Sequence, residues 1–262
     1  MPAPVRITSW NVNGLRNAIR KDFGTYLDEI ECDVLLLQEI RSTPAQLPDA
    51  WATPADWHVA WHPAERLGYA GTAVFSRHPI TVRSRGMGTK DADVEGRVLE
   101  VATAGVRVVS VYAPSGSSGA ERQAVKDAWM PAFTRWAAPM LRARTPTILG
   151  GDLNVAHTER DIFHWKSNQK SSGFLPHERA WVGALLDAGW ADFVREHHGA
   201  VDGPYTWWSN RGQARQLDRG WRIDYLLGNR AAARQQTGAP EIHREAGLAV
   251  SDHAPVTISL AV

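Results

Sequence analysis

Repeatedly in this sequence a short apolar run breaks off into a residue able to do chemistry, and that repetition limits the fold more than any single motif. The most informative case is residues 145 to 161, where Thr147-Ile148-Leu149 runs into Gly150-Gly151 and then presents Asp152 and Asn154, with His157, Thr158 and Asp161 close behind. This reads as a buried strand opening into a polar loop. An acid and an amide two residues apart point to the same side if the chain stays extended, and the glycines would let a phosphate come close to the backbone. His157, Thr158 and Asp161 are expected to brace the loop rather than reach a ligand.

The same pattern recurs along the chain. Val5 to Trp10 alternates as a strand and ends in Asn11, with a turn at Asn13-Gly14. Apolar positions from Leu15 to Ile30 fall near helical spacing, and Val34 to Leu37 forms an apolar strand leading to Gln38-Glu39. Residues 42 to 68 read as an irregular excursion with at most a helical turn. Gly71 to Ser76 resumes strand, then 97–102 and 106–112 form a hairpin turning at Gly105 and closing on Tyr112. A helix is expected over about 120–142, in two pieces or kinked because of Pro131 and Pro139. Another spans about 176–187 and stops at Gly189. Tyr205 to Ser209, Arg222 to Leu227 and Val256 to Leu260 look like strands, and Ser251-Asp252-His253 precedes the last. Strand candidates outnumber helices and reach both termini, so we expect one compact domain over residues 1–262, with two sheets flanked by helices.

Composition narrows the chemistry. With 29 Lys plus Arg against 28 Asp plus Glu the net charge is +1, so any affinity for nucleic acid must be local. The lone Cys32 excludes an internal disulfide and a cysteine-rich metal site, and its apolar surroundings suit a structural role. Neither a leader-like start nor an apolar run of membrane-spanning length is evident, so a cytoplasmic protein with no membrane contact is expected.

Few carboxylates, amides and no cysteine suit Mg²⁺, which keeps waters and accepts phosphate oxygens, better than zinc or calcium. Phosphate esters are the substrate class this implies. His253 needs an orienting acid, for which Asp224 is the candidate. A serine triad fits poorly, since no Gly-x-Ser-x-Gly elbow is present. Arg211, Arg215, Arg219 and Arg222 are interleaved with Tyr205, Trp207, Trp208 and Trp221, and residues 163–179 add Lys166, Asn168, Lys170 and Arg179. Cations and planar rings together suit nucleic acid, although most of the 12 tryptophans are expected in the core.

The chain resembles the exonuclease III type of abasic-site endonuclease within the endonuclease/exonuclease/phosphatase superfamily. The likeness runs through Ser9-Trp10-Asn11-Val12-Asn13-Gly14-Leu15-Arg16, Leu37-Gln38-Glu39, Glu95-Gly96-Arg97, Tyr112-Ala113-Pro114 and Gly151 to His157. It continues through Gly173-Phe174-Leu175-Pro176, Gly220 to Tyr225 and Ser251 to Pro255. The Gln-Glu, Gly-Asp-Asn and Ser-Asp-His pieces belong to the whole superfamily, lipid and inositol phosphatases included, whereas 173–179 and 205–225 resemble the DNA-repair branch.

The resemblance implies a DNase I-like four-layer α/β sandwich, two packed mixed β-sheets flanked by helices. It implies a DNA-repair nuclease, probing duplex DNA as a monomer, that hydrolyses the phosphodiester 5′ to abasic sites and also acts as a 3′–5′ exonuclease and 3′-end phosphatase. Glu39 would be the principal Mg²⁺ ligand, with Asn11 beside it, Asp252 as a further candidate, and Asp152, Asn154 and His253 near the ion; Mn²⁺ would substitute. Asp152 would orient or deprotonate the attacking water, Asn154 hold the scissile phosphate, and His253, held by Asp224, stabilise charge on the phosphoryl oxygens with help from Tyr112 as donor or phenolate. Asn168, Lys170 and Arg215 would contact the DNA backbone, while Trp207, Trp221 and Ile223 line a pocket for a base-free sugar. The sequence departs from the family where Leu217-Asp218 replaces a common asparagine pair and where Arg41 replaces a common lysine. A phosphatase for lipid or inositol headgroups, or an inert DNA-binding module, are the competing readings.

Overall fold

The computed structural model describes residues 3–262. In chain order the elements are β1 (Val5–Asn11), α1 (Leu15–Ile19), α2 (Phe23–Ile30), β2 (Val34–Gln38), α3 (Asp49–Ala52), β3 (His58–His62), β4 (Thr72–Ser76), β5 (Thr81–Arg85), α4 (Lys90–Asp93), β6 (Val98–Thr103) and β7 (Val106–Tyr112). Then follow α5 (Ala120–Leu141), β8 (Thr147–Asp152), α6 (Trp165–Asn168), α7 (Pro176–Asp187), β9 (Ala191–Asp192), α8 (Phe193–His198), β10 (Asp224–Gly228), α9 (Arg230–Ala233), β11 (Gln236–Ile242), α10 (Arg244–Val250) and β12 (Val256–Leu260).

One sheet has the order β11-β12-β1-β2-β4-β3 and the other β5-β6-β7-β8-β10-β9. In each the central pair is parallel: β1 with β2, matching Asn11 to Gln38, and β7 with β8, matching Tyr112 to Asp152. The first and last strands are neighbours, and β10 runs antiparallel to β8 with Asp224 opposite Asp152. The carboxyl ends of four inner strands and the amino end of β10 thus converge on one rim.

Strand periodicity explains the layers. Val34 and Leu36 face the opposing sheet, in a core with Val74, Leu99, Val108, Ile148 and Leu226, while Leu35 and Leu37 face Phe23, Leu27 and Ile30 of α2. On the other side Val109, Val111 and Leu149 pack under Trp129 and Phe133 of α5 and Val182 of α7. A strand buried on both faces must be apolar throughout, which is why β2 reads as an uninterrupted run. Gln38 ends that run with a polar side chain bonded across the sheets, donating to Ser110 Oγ at 3.1 Å.

The expected four-layer architecture is observed, with several local differences. The segment 15–30 is two helices, interrupted by Asp22 in a left-handed conformation at φ 58°. α5 is a single helix through Pro131 and Pro139, because both prolines and the residues whose carbonyls they deprive, Asp127 and Arg135, are exposed and can be hydrated. The irregular excursion contains β3, and β5 and β11 also escape the sequence patterns. All three are edge strands, with polar residues in β3 and β5 and with Gly238, Pro240 and a register shift in β11. Tyr205 to Ser209 makes only isolated bridges, Trp207 to Trp221 and to His253. α8 and α10 are further short helices that the sequence reading missed; α8 is capped by Asp192, whose Oδ1 accepts from Arg195 N at 3.1 Å, whereas α10 has no side-chain cap.

The paired glycines do something other than admit a phosphate. A Cβ at Gly150 would lie 2.5 Å from Leu36 Cδ1 across the sheets, and one at Gly151 would lie 1.8 Å from the Val111 carbonyl oxygen. They allow close packing of β8 against its neighbours. Cys32 is buried, which pushes its thiol up to about 12 and fits a structural role. No helix among the described residues is long and apolar enough to cross a membrane.

The loop after β8 is braced as expected. Asp161 accepts from Thr158 N and Oγ1 at 2.9 and 2.8 Å, from Arg222 Nε at 2.7 Å and from Arg195 Nη2 at 2.5 Å. Arg222 also donates to Asp192 Oδ2 at 2.8 Å. Burial alone would raise the Asp161 carboxyl, but the two guanidinium groups outweigh it and hold the group well below the usual carboxylate range. A depressed folded-state pKa contributes stability above the unfolded value near 3.8 that is lost as pH falls through the folded one. Asp161→Asn is therefore expected to lower unfolding free energy at pH 7 by roughly 3 kcal/mol, a deficit that shrinks in denaturant titrations performed below about pH 3. A pH-independent deficit would contradict the ionic role.

Candidate active site

The rim gathers its polar residues from both sheets. After β2 the chain turns sharply: Glu39 is left-handed at φ 50°, and its carbonyl accepts from Gly14 N at 2.8 Å while Ile40 O accepts from Leu15 N at 3.0 Å. The Asn13-Gly14 turn beside β1 thus fixes the direction in which the Glu39 side chain leaves its strand. Asn11 Nδ2 donates to Glu39 Oε1 and to Asp152 Oδ2, each at 2.9 Å, so one amide bridges carboxylates from the two sheets.

Asp152 is 1 % exposed and is gripped on both oxygens by Asn154, from the backbone N to Oδ1 at 2.8 Å and from Nδ2 to Oδ2 at 3.2 Å. Asn154 Nδ2 also donates to the Ala113 carbonyl at 2.9 Å. The amide expected to hold a phosphate is therefore engaged within the protein, and contact with a phosphate would require one of these bonds to be exchanged. On the other side of Asp152, His253 Nε2 lies 3.9 Å from Oδ2, and His253 Nδ1 is 3.0 Å from Asp224 Oδ2.

Burial shapes the protonation of this group. It pushes the Asp152 carboxyl up to about 7, with the charges of Asp224 and Glu39 adding to the effect and His253 opposing it. For His253 burial works downward, but Asp224 in contact and Asp152 nearby reverse it and raise the imidazole to about 10. Burial and then the Glu39 charge raise the Tyr112 phenol above its ordinary value, which favours its protonated form, while Arg97 works the other way. The Arg97 guanidinium lies 4.6 Å from the ring centre, and Arg97 Nη1 donates to the Tyr112 carbonyl at 3.1 Å.

Ligand atoms of Glu39, Asp152 and His253 lie within 4.8 Å of one another. Two carboxylates this close and this buried suit a hard divalent cation. His253 Nδ1 is taken by Asp224, so the ring atom that faces the carboxylates is Nε2, 3.9 Å from Asp152 Oδ2. Asp252, expected near the metal, accepts from Asn13 Nδ2 at 2.8 Å and Trp207 Nε1 at 3.1 Å and ties the rim to the aromatic loop. Arg41 ion-pairs with Glu39 Oε2.

Trp207 and Trp221 meet edge to face, with ring centres 6.0 Å apart, and pack with Ile223, Trp207 lying beside His253. Phe174 and Trp165 complete that apolar wall. Asn168 and Lys170 lie on the adjoining surface, Asn168 Nδ2 donating to His164 O at 2.9 Å. The basic stretch is less exposed than its composition suggests. Arg222 is fully buried in the Asp161 network, and Arg215 spends its fork on the carbonyls of Leu248 and Ser251, at 3.2 and 3.0 Å. Arg215 as placed braces α10 rather than offering itself to DNA, and Arg211 and Arg219 are the exposed cations of that loop. Sequence reasoning left Asn13, Arg97, Trp165 and Phe174 out of the site. Their motifs were visible, but nothing in their spacing indicated contacts with Asp252, Tyr112 or the tryptophans.

Residues 8–253 match the Endonuclease/Exonuclease/phosphatase family. Over 97 % of its length the chain is 38 % identical to an exodeoxyribonuclease of Bacillus subtilis, covering 98 % of that protein. It is 35 % identical over 99 % of its length to the DNA repair nuclease APEX1 of Danio rerio, covering 83 % of that protein. Among solved structures, the 3′ phosphatase NExo from Neisseria, bound to product DNA hairpin, superposes with a TM-score of 0.88 at 30 % identity, covering 98 % of this chain and 100 % of that one.

Removing the Asp224 carboxylate takes away the main influence holding the His253 proton, while burial remains. In Asp224→Asn the imidazolium should titrate about two or more pH units lower than in the parent chain, followed by ring NMR on metal-free protein. An unshifted titration would mean that Asp224 does not govern the histidine.

Proposed function

Because this chain belongs to the endonuclease/exonuclease/phosphatase family, we propose that it is a DNA-repair nuclease, hydrolysing the phosphodiester 5′ to abasic sites and trimming 3′ ends of duplex DNA with Mg²⁺ as cofactor and Mn²⁺ as substitute. We further propose that it acts as a monomer, in the cytoplasm. The observation that carries the reading is the convergence of Glu39, Asp152 and the Asp224–His253 pair beside a wall of Trp207, Trp221 and Ile223.

Glu39 would hold the cation with Asp152 beside it, since their oxygens share the Asn11 amide as donor; Asn11, whose Oδ1 accepts from Asn13 N at 3.0 Å, would join them with its amide turned over. Bound there, the ion would supply Lewis-acid stabilisation of phosphoryl charge and lower the pKa of water. The chain's own groups do the rest. Asp152, oriented by Asn11 and by both hydrogen bonds from Asn154, accepts the proton of the attacking water. The His253 imidazolium, kept charged by Asp224, faces charge that grows on the non-bridging oxygens, and the protonated Tyr112 phenol is a second donor. An in-line displacement gains chiefly from such positioning and electrostatics.

The apolar wall explains why a base-free sugar would be the preferred occupant. An abasic nucleotide leaves the helix without losing a stacked base, and the wall offers rings rather than hydrogen-bond donors that would read a base edge. Asn168, Lys170 and the exposed Arg211 and Arg219 would follow the phosphate backbone. The relatives named as DNA nucleases favour DNA over a lipid or inositol headgroup as the phosphate source.

A duplex with blocked ends and one abasic analogue should be nicked 5′ to the lesion with Mg²⁺ and left intact with chelator. Parallel blunt and 3′-phosphate duplexes measure the end-directed activities. Asp152→Asn should lower kcat by about 10²–10⁴-fold while DNA affinity stays within a few fold. Absence of nicking by the parent protein, with turnover of an inositol phosphate instead, would replace this reading by the phosphatase one.

A further inference from the structure

A buried ion pair sits behind the rim, outside every role assigned so far. Lys126, on α5, has no exposed surface, and its ammonium lies 2.7 Å from Glu178 Oε1 of α7, also fully buried. The ammonium makes a second contact, donating to the backbone carbonyl of Asn154 at 2.8 Å. Glu178 is anchored in turn, its Oε2 accepting from Gly173 N at 2.6 Å and Leu175 N at 3.0 Å. The same loop closes on Asn154 from the other side: a Cβ at Gly173 would lie 3.0 Å from the Asn154 carbonyl oxygen, and Gly173 O accepts from Ala156 N at 2.8 Å.

Helix packing alone does not account for this pair. Two charges removed from water gain little over a well-packed apolar pair of the same volume, so α5 and α7 would pack as well without them. What an apolar pair could not do is hold a carbonyl. Asn154 is left-handed at φ 53°, a costly conformation for a residue with a side chain, and it is this conformation that aims its backbone N–H and its amide at the two oxygens of Asp152.

We infer that Lys126 is a positioning residue for catalysis, its ammonium, steadied by Glu178, clamping the Asn154 carbonyl so that Asn154 in turn fixes the Asp152 carboxylate. The chain of contacts runs from the core outward, Glu178 to Lys126 to Asn154 to Asp152, and Lys126 and Glu178 themselves are fully buried behind the site. The inference rests on the nuclease reading above for its kinetic consequence, and on geometry alone for its structural one.

The test is the doubly neutral variant Lys126→Met with Glu178→Gln, which preserves volume and leaves no unpaired charge. On the abasic duplex with saturating Mg²⁺, kcat should fall about tenfold or more while KM stays within about twofold and the melting temperature within a few degrees. A folded variant with parental kcat, or one that loses only KM, overturns the inference. Should that variant fail to fold, Lys126→Gln combined with Glu178→Gln carries the same expectations, since a neutral amide one bond shorter replaces the ammonium and no buried charge is left unpaired. A crystal structure of the folded variant reads the positioning without turnover. Asn154 leaving its left-handed conformation and releasing Asp152 supports the clamp, and unchanged Asn154–Asp152 bonds refute it. A parent protein that does not cut DNA counts against the nuclease reading, and the crystal structure then decides this inference by itself.

Discussion

Three carboxylates, Glu39, Asp152 and Asp224, are buried around one imidazole where the ends of two sheets meet, and their mutual repulsion sets the terms for everything near them. Like charges removed from water cannot all remain ionised without compensation. The compensation is visible piece by piece. His253 keeps its proton for Asp224 and faces Asp152, the Asn11 amide bridges Glu39 to Asp152, and Asn154 donates twice to Asp152. A site left this rich in negative charge is receptive to a divalent cation. The same strain that would make the empty rim unfavourable is what would make it useful to a phosphate bound through that cation.

The sandwich makes such crowding possible. Each sheet has a parallel central pair whose carboxyl ends reach the same rim, and the opposing faces are locked by apolar side chains, by Gly150 beneath Leu36, and by Gln38 bonded to Ser110. Side chains at strand ends are thereby held on rigid backbone rather than on loops. The flanking helices add a second level of support. α5 and α7 do not contribute groups to the rim, yet Lys126 and Glu178 reach inward from them to the loop after β8. Asp161, from that loop, is joined through Arg222 and Arg195 to the opposite end of the second sheet.

Much of this was legible in the sequence, for identifiable reasons. Strands buried on both faces, such as Val34 to Leu37, announce themselves as apolar runs, and the Asn13-Gly14 and Ala104-Gly105 turns carry their own chemistry. Edge strands do not: β3 and β5 keep polar residues because one side meets water, and β11 contains Gly238 and Pro240. The convergence of Asn11, Glu39, Asp152, Asp224 and His253 could be anticipated from their places at strand ends. The sequence could not reveal which polar groups were already spoken for. Arg222 and Arg215 read as part of a basic surface until Asp161, Asp192 and two carbonyls are seen to hold them, and nothing in the spacing of Asp252 shows that Asn13 and Trp207 donate to it. Lys126 and Glu178 lie 52 positions apart on two helices, with no motif connecting them.

The central claim, that the crowded carboxylates hold the cation that this chemistry needs, is tested most directly by anomalous diffraction from crystals soaked in Mn²⁺. The account predicts one strong peak within about 2.2 Å of a Glu39 carboxylate oxygen and adjacent to Asp152, lost in Glu39→Gln. Manganese bound only at surface acids, with the space between Glu39 and Asp152 empty, would contradict it.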